Sequence, residues 1–523
     1  MVVCKSVPDF VKPVDEIPVN RYNRPYHIVT HLAVARGMAP MAANVLLIIL
    51  DSVRARNTSL RGWTNDTTPF CAEFAERATT CTQARSPGAK SLTSHTSIFT
   101  GLDVEQHNIT SADDRLAPGY SVFERLREAG YDTGVFSENT WVTDIEVGLK
   151  DGFGTVEGPR NLPFPDAVDP KSFVAEAGRG QYADYLRASL DSSRPVRSLA
   201  NGLATKLAWD FPWLLPDSLQ ASTAAEVYAD LFLGWERERD SPWAACLNLM
   251  DAHIPYEPAP EFDRWGGPEA RAIQDDLEDL EWVFLGGQEP WWKRRALEGL
   301  YDGAIAQIDA QIRRIVGALD DRSVLDDTLV VVTSDHGEGF GEPDEIRDVR
   351  VAEHGVSIHE VVTHVPLLVK YPGQTEGATV DEPATLTRFP DAAMAAANGE
   401  GRPGEFVPDG PVRVTAVGLN DALKGRAANH VDDLEPFTAT ARAVVEKRDG
   451  TVRKDITWRD RTRRVEIRDA GTSYRVEAPA DAVRSRVESA FADVADAGVR
   501  TSGAGVEGAS DATRKRLEDL GYV

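Results

Sequence analysis

Two apolar runs that lie far apart in the sequence each lead into a carboxylate, and this feature constrains the fold most. Residues 45–50 (Val-Leu-Leu-Ile-Ile-Leu) precede Asp51, and residues 329–332 (Leu-Val-Val-Val) lead through Thr-Ser into Asp335 and His336. Short apolar runs rich in β-branched residues are typical of strands buried on both faces of a parallel sheet. Open α/β folds carry their functional groups at the carboxyl ends of such strands. The sequence therefore predicts that these polar side chains meet at one edge of a sheet.

Two carboxylates and an imidazole are suitable ligands for a divalent cation. The alternative for Asp51 and Asp335 is that each begins a helix as its N-cap after the strand. We favour a metal site, because a hydroxyl cluster at residues 90–101 lies between the two strands in the sequence. An imidazole ligand from His336 disfavours calcium and favours manganese, zinc or a similar ion.

Strand-like runs alternate with helical stretches over the first two thirds of the chain. The predicted strands are 45–50, 133–137, 244–250, 328–334 and 365–371, and the predicted helices are 69–78, 93–100, 120–129, 222–237 and 294–319. This alternation predicts parallel βαβ units, hence an α/β fold with a mostly parallel sheet flanked by helices.

The pattern changes near residue 374. Alternating polar and apolar residues follow, Asp449-Gly450 forms a hairpin signal, and a helix is predicted near 480–496. We therefore predict a main α/β domain at 41–373 and a smaller α+β domain at 374–523. Residues 1–40 lack clear periodicity and are predicted to be an N-terminal tail or a misassigned start.

Composition excludes some classes of function. The net charge is −26, and only 12 of the 57 basic residues are Lys. An acidic surface lacks the basic footprint of a nucleic-acid-binding protein. Acidic, Lys-poor chains resemble haloarchaeal proteins, whose carboxylates keep them soluble in concentrated salt. No apolar run reaches transmembrane length, and cleavage of a signal peptide at 37–50 would remove the first strand, so we expect a cytoplasmic protein.

Residues 90–101 (Lys-Ser-Leu-Thr-Ser-His-Thr-Ser-Ile-Phe-Thr-Gly) combine a hydroxyl-rich start with a helical stretch. The simplest interpretation is a helix N-cap. The same geometry places a Ser hydroxyl near free backbone N–H groups and the positive end of the helix dipole, which suits attack on an anionic ester. A neighbouring cation would lower the pKa of that hydroxyl.

Several short blocks occur in a recognisable order between residues 44 and 373. They are Asp51-Ser-Val-Arg54, Thr68-Pro69, Ser91-Leu-Thr-Ser-His95, Met250-Asp-Ala-His253-Ile-Pro-Tyr256, Ser334-Asp-His-Gly-Glu338, His354-Gly355 and His364-Val-Pro-Leu-Leu368. Together these blocks resemble the sulfatase family of the alkaline phosphatase superfamily. The resemblance implies an alkaline-phosphatase-like fold and hydrolysis of sulfate esters, with a small-molecule or glycan sulfate or phosphate ester as substrate.

Roles follow from this resemblance position by position. Asp51, Asp335 and His336 would bind the metal, and Ser91 falls where the family has its nucleophile. The other positions would bind the substrate: His253 and His354 would contact the sulfuryl or phosphoryl oxygens or protonate the leaving group, and Asn139 would line the edge of the site, although it also suits a loop cap.

The nucleophile block departs from the family's pattern. Typical members convert a Cys, or sometimes a Ser, to formylglycine within a block that continues x-Pro-x-Arg. Here Ser91 is followed by neither Pro nor Arg, because His95 stands at the Arg position. Formylglycine is therefore not expected. An unmodified Ser favours phosphodiesterase or phosphoglycerol-transferase-like chemistry as an alternative, and a third possibility is a non-catalytic family member that acts as a binding protein.

Overall fold

The computed structural model describes residues 42–159, 182–192, 194–210, 224–240, 242–352, 354–469, 472–503 and 505. They all lie within one compact unit, Met41–Val523. The predicted tail at 1–40 lies outside the described residues. The strands are β1 (Asn44–Leu50), β2 (Thr79–Arg85), β3 (Asp114–Leu116), β4 (Asp132–Ser137), β5 (Thr155–Glu157), β6 (Trp243–Leu249), β7 (Thr328–Thr333), β8 (Glu342–Pro343), β9 (Arg350–Val351), β10 (Leu367–Lys370), β11 (Ala378–Thr385), β12 (Val412–Ala416), β13 (Ala441–Arg448), β14 (Thr451–Trp458), β15 (Arg461–Asp469), β16 (Thr472–Val476) and β17 (Arg500–Ser502).

Most of the α-helices lie between strands of the main sheet, as the alternating pattern predicts. They are α1 (Pro69–Phe74), α2 (Ser91–Thr100), α3 (Val104–His107), α4 (Val122–Glu128), α5 (Thr140–Thr143), α6 (Tyr182–Asp191), α7 (Pro195–Asp210), α8 (Ala224–Arg237), α9 (Gly267–Asp275), α10 (Trp282–Leu285), α11 (Trp291–Ala296), α12 (Glu298–Asp321), α13 (Glu360–Thr363), α14 (Phe389–Ala397), α15 (Asp421–Ala427) and α16 (Ala480–Phe491). Among the described residues, no helix has the length and apolar character needed to cross a membrane.

The main sheet has eight strands in the order β11-β2-β10-β7-β1-β6-β4-β5. β1 lies at its centre and pairs in parallel with both β6 and β7. Alternate side chains of β1 enter different cores: Val45 and Leu47 pack on one face of the sheet, and Leu46 and Ile48 pack on the other. Burial on both faces explains why β1 is apolar at successive positions. The predicted mostly parallel α/β sheet is confirmed.

One predicted parallel strand runs the other way. β10 pairs antiparallel with both β7 and β2. The physical reason lies in the preceding segment, residues 334–366, whose only α-helix among the described residues is the four-residue α13. A parallel strand needs a crossover that returns the chain to the opposite edge of the sheet. Because the described residues of 334–366 form no long crossover helix, β10 starts from the edge where β7 ends.

A second, antiparallel sheet contains β12 to β16 in sequence order. The hairpin predicted at Asp449-Gly450 joins β13 to β14, and both turn residues have positive φ, 52° and 77°. Such values are required in the tight turns that match the twist of a hairpin. α16, the predicted closing helix, packs Val487 and Phe491 against Val444 of this sheet. The smaller α+β region is thus present.

The position of the predicted boundary at 373 and 374 stays a prediction. β11 lies beyond residue 373 and still pairs with β2 in the main sheet. α14 also packs Phe389 and Ala393 into the core on one face of that sheet. The antiparallel sheet itself begins at Val412.

Candidate active site

The carboxyl ends of β1 and β7 bring two distant acidic residues together. Asp51 follows β1 directly, and Ser52 after it has a positive φ of 64°. This left-handed turn, unusual for a residue other than Gly, directs Ser52 N to donate a hydrogen bond of 3.3 Å to Asp335 Oδ1. Ligand atoms of Asp51, Asp335 and His336 all lie within 4.8 Å of one another, and the three residues are buried. No described α-helix begins at either carboxylate, contrary to the alternative interpretation as N-caps.

The donor set fits a divalent cation. Asp335 Oδ1 accepts hydrogen bonds from Ser52 N and His336 N. The other oxygen, Asp335 Oδ2, is buried and has no hydrogen-bond donor among the described residues. His336 Nδ1 donates to Gly337 O at 3.0 Å, so Nε2 is the ring atom that faces the other candidates, 3.3 Å from Asp335 Oδ2. A buried carboxylate oxygen without a donor is costly unless a cation balances it.

Two Asn side-chain amides fix the orientation of the Asp51 carboxylate. Asn139 Nδ2 and Asn248 Nδ2 each donate a hydrogen bond of 3.0 Å to Asp51 Oδ2. Burial opposes ionisation of Asp51, but nearby His253, His336 and other polar neighbours prevail and hold its pKa at about 2. Asp51 is therefore ionised at neutral pH.

Asn139 combines two roles. Its amide nitrogen bonds Asp51, and its Oδ1 accepts from Trp141 N, so it is also the N-cap of α5. The predicted contact of Asn139 with substrate stays a prediction. Asn248 was not predicted as a site residue. The available signal was its position as the one polar side chain near the end of the apolar run 244–250.

His95 lies between the backbone of Ser91 and the metal-ligand candidate Asp335. Its Nδ1 is 2.8 Å from Ser91 O and 3.6 Å from Asp335 Oδ2. Its Nε2 is 3.2 Å from Asn248 Oδ1, whose orientation is fixed because the Asn248 amide nitrogen donates to Asp51. Both ring nitrogens of His95 thus face oxygen acceptors. The residue that stands at the family's Arg position thus links the Ser91 backbone to the acidic cluster.

Ser91 is the first residue of α2 and is fully buried. Its Oγ lies 3.2 Å from His336 Nε2, at the edge of the predicted metal site. The helix continues for ten residues to Thr100, so Ser91 stands at the positive end of its dipole. The structure therefore places this hydroxyl beside the three metal-ligand candidates, as the sequence predicts.

His253 and His354 form one wall of the site. The His354 ring stacks on His336 with centroids 4.3 Å apart, and the His253 ring lies edge-on to it at 5.1 Å. His253 Nδ1 donates to Ile254 O, and His354 Nδ1 donates to Glu338 Oε2 at 3.2 Å. Each Nδ1 hydrogen is therefore engaged by an oxygen acceptor. Burial and the proximity of His336 lower the pKa of His354, against the opposing effect of Glu338.

The family is shown by a match that covers most of the main domain. A family model described as Sulfatase matches residues 43–399. The chain belongs to the sulfatase family. Iduronate 2-sulfatase from Homo sapiens is 24% identical over 377 residues, which cover 64% of this chain and 60% of that protein. A sulfatase from Formosa agariphila is 24% identical over 386 residues, covering 66% of this chain and 67% of that one. The match thus spans 60% of the length of the human relative.

Solved structures support the fold. A phosphonate monoester hydrolase from Agrobacterium radiobacter matches with a TM-score of 0.58 and 19% identity, covering 86% of this chain and 94% of that one. A phosphonate monoester hydrolase from Silicibacter pomeroyi matches with a TM-score of 0.50 and 17% identity, covering 82% and 90%. The sulfatase chain therefore has the alkaline-phosphatase-like fold that the sequence resemblance implies.

Proposed function

We propose that this protein is a metal-dependent hydrolase of sulfate esters, with Ser91 as nucleophile. The observation that carries this proposal is the position of Ser91 Oγ, 3.2 Å from His336 Nε2 at the start of α2. A divalent cation bound by Asp51, Asp335 and His336 would act as a Lewis acid toward the ester oxygens. Manganese or zinc suits the imidazole better than calcium does.

Each side chain of the site has its own task in the proposed reaction. Ser91 Oγ, made more acidic by the neighbouring cation, would lose its proton to water and form the bond to sulfur or phosphorus, and the bond from that atom to the leaving oxygen would break. His354 Nε2 or His253 Nε2 supplies a proton or a hydrogen bond to the leaving oxygen. Hydrolysis of the esterified Ser by water then restores the hydroxyl. The N–H groups at the start of α2 favour the negative charge of the transferred group.

Phosphodiester hydrolysis or phosphoryl transfer is the second candidate function. It is favoured by the residues around Ser91, which lack the Pro and Arg of the formylglycine context. An unmodified hydroxyl is a sufficient nucleophile for such chemistry. The fold also occurs in phosphonate monoester hydrolases. We infer that Ser91 stays unmodified, and mass spectrometry of its peptide tests this: loss of two hydrogen atoms would reveal formylglycine.

A substrate panel decides between the candidates. The protein is stripped with EDTA, reloaded with manganese or zinc, and assayed with 4-nitrophenyl sulfate, 4-nitrophenyl phosphate and bis(4-nitrophenyl) phosphate. We expect turnover that requires metal. The ester with the highest kcat/KM identifies which of the two functions the protein has. Metal binding without turnover of any ester would instead support the non-catalytic alternative.

Ser91→Ala provides the matched variant for the nucleophile. It should reduce turnover to background while metal content stays unchanged, because Asp51, Asp335 and His336 remain. Thr93→Ala is the control, since the Thr93 hydroxyl on the same helical turn bonds only Lys90 O among the described partners. Equal losses in the two variants would show that Ser91 is not the nucleophile.

A further inference from the structure

Glu338 is a buried carboxylate that the proposed chemistry does not use. It is fully buried and lies two residues after His336. Its Oε2 accepts a hydrogen bond from His354 Nδ1 at 3.2 Å. Among the described residues no other hydrogen bond to the His354 ring is found, and the ring packs against His336 and His253, with centroids 4.3 and 5.1 Å away. A contact at one ring nitrogen therefore controls what the other presents to a substrate.

The carboxylate is itself held from its other side. Glu338 Oε1 accepts a hydrogen bond of 2.9 Å from Gly339 N and lies 3.2 Å from Arg294 NH2. Arg294, a residue of α11, is also fully buried. Its guanidinium donates hydrogen bonds to two backbone carbonyls outside that helix, Gly339 O and Leu280 O. A continuous set of contacts thus leads from α11 through Arg294 and Glu338 to His354.

We propose that Glu338 is a positioning residue for His354. Its Oε2 accepts the hydrogen on Nδ1 and fixes the ring plane, so that a hydrogen on Nε2 is directed at the leaving oxygen of the ester. A carboxylate that orients an imidazole in this way improves proton transfer without touching the substrate. The inference rests on the proposed function, because it assigns His354 to the leaving group.

Glu338→Gln tests this directly because it changes the hydrogen-bond pattern and hardly the shape. The oxygen of the new amide is required by Gly339 N and Arg294, so its NH2 group faces His354 Nδ1. Two donors cannot share that contact, so the His354 ring must turn away from the orientation that directs Nε2 at the leaving oxygen. Glu338→Asp is the second variant: it keeps the charge but withdraws it from the ring.

The readout is the dependence of kcat on the leaving group. A nitrophenolate leaves without a proton, whereas a phenolate or an alkoxide needs one. We expect Glu338→Gln to lower kcat about 100-fold on phenyl or alkyl esters and only a few-fold on nitrophenyl esters, with little change in KM. Glu338→Asp should show the same selectivity with a smaller loss. A loss that is equal for all leaving groups would overturn the proposal, since that is what a purely structural role predicts.

Glu281→Gln is the matched control. Glu281 is buried close enough to Arg294 and Glu338 to interact with their charges, and among the described residues no hydrogen bond or ion pair joins it to His354. It should leave the leaving-group dependence of the wild type intact. In a His354→Ala background, Glu338→Gln should add almost no further loss, because coupled residues are not additive. Multiplicative losses would overturn the assignment.

Different results would contradict the proposed function and the role of Glu338. If the wild-type protein hydrolyses none of the esters, the proposed function fails. If the wild type is active but Glu338→Gln and Glu338→Asp both leave the leaving-group dependence unchanged, the proposed function stands and the role of Glu338 is wrong.

Discussion

Asn248 Nδ2 donates a hydrogen bond of 3.0 Å to Asp51 Oδ2, joining residues that are 197 positions apart in the sequence. The bond arises because β1 and β6 are parallel neighbours whose ends coincide, with Leu50 paired to Leu249. Asn139 approaches the same oxygen from the end of β4. Three adjacent strands thus fix the orientation of one carboxylate before any cation arrives, which is how outer residues tune a metal site.

Asn248→Ala should weaken metal binding. The substitution removes one of the two amide donors that orient Asp51, so we expect the Kd for manganese or zinc to rise about 10- to 100-fold. Titration calorimetry of the metal-free protein measures it. Asn420→Ala is the control, because Asn420 caps α15 through a bond from Leu423 N and touches none of the predicted ligands. An unchanged Kd in Asn248→Ala would mean that Asp51 does not bind the metal.

A buried ion network joins the antiparallel sheet to the loop before β10. Lys454 on β14 is fully buried, and its Nζ donates to Glu360 Oε1 at 2.9 Å and to Ile358 O. Glu360 is also fully buried and pairs with Arg85 at 2.7 Å. Lys454 Nζ also lies 3.4 Å from Oε2 of buried Glu345, so two cations balance two carboxylates in this network.

Lys454→Met should be strongly destabilising. Removing one member of a buried ion network costs about 3 kcal/mol or more, because the remaining charges are left uncompensated. Equilibrium unfolding in guanidinium chloride measures the change. Lys447→Met is the matched control on neighbouring β13, since Lys447 pairs with Glu382 at the surface and should cost below about 1 kcal/mol. Similar losses in both variants would show that the buried network contributes little.

Sequence patterns predicted the parts of this protein that depend on local periodicity. The apolar runs 45–50 and 328–334 became the central strands, and the Asp-Gly turn became the β13–β14 hairpin. The cluster of Asp51, Asp335 and His336 was predictable because parallel strands share one carboxyl edge.

Other features depend on pairings that no local pattern encodes. The reversed direction of β10 follows from where residues 334–366 lie rather than from the composition of the strand. Asn248 and Glu338 join the site through tertiary hydrogen bonds, whereas the sequence shows only that Asn248 interrupts an apolar run and that Glu338 follows His336. Their roles became visible only once β6 lay beside β1 and His354 lay beside Glu338.

Asp251 should make stability depend on pH. Burial raises its pKa to about 7, with the repulsion of Glu138 adding to the effect, against a hydrogen bond from Gln307. The folded state then keeps a proton that the unfolded state releases above its model value of 3.8. Stability from this group is present at low pH and falls as pH rises from about 4 to 7, by at most about 1.4 kcal/mol per pH unit.

Asp251→Asn should remove that dependence, because an amide stays neutral and can still accept from Gln307. The measurement is the difference in unfolding free energy between variant and wild type at several pH values from 4 to 8. We expect the difference to grow in favour of the variant as pH rises. Asp460→Asn, at an exposed position, should give a difference that does not vary with pH. A constant difference for Asp251→Asn would contradict the raised pKa.

Salt should stabilise this protein. The net charge is −26. Folding brings the carboxylates closer together, so their mutual repulsion is stronger in the folded state than in the expanded chain. Screening shortens the reach of each charge to about 3 Å at 1 M ionic strength. We expect the thermal midpoint to rise steeply between 0.05 and about 1 M potassium chloride and then level off. Sucrose at matched water activity is the control, because it strengthens burial without screening. If sucrose raises the midpoint as much as the salt does, the stabilisation comes from exclusion of solute and not from the acidic surface.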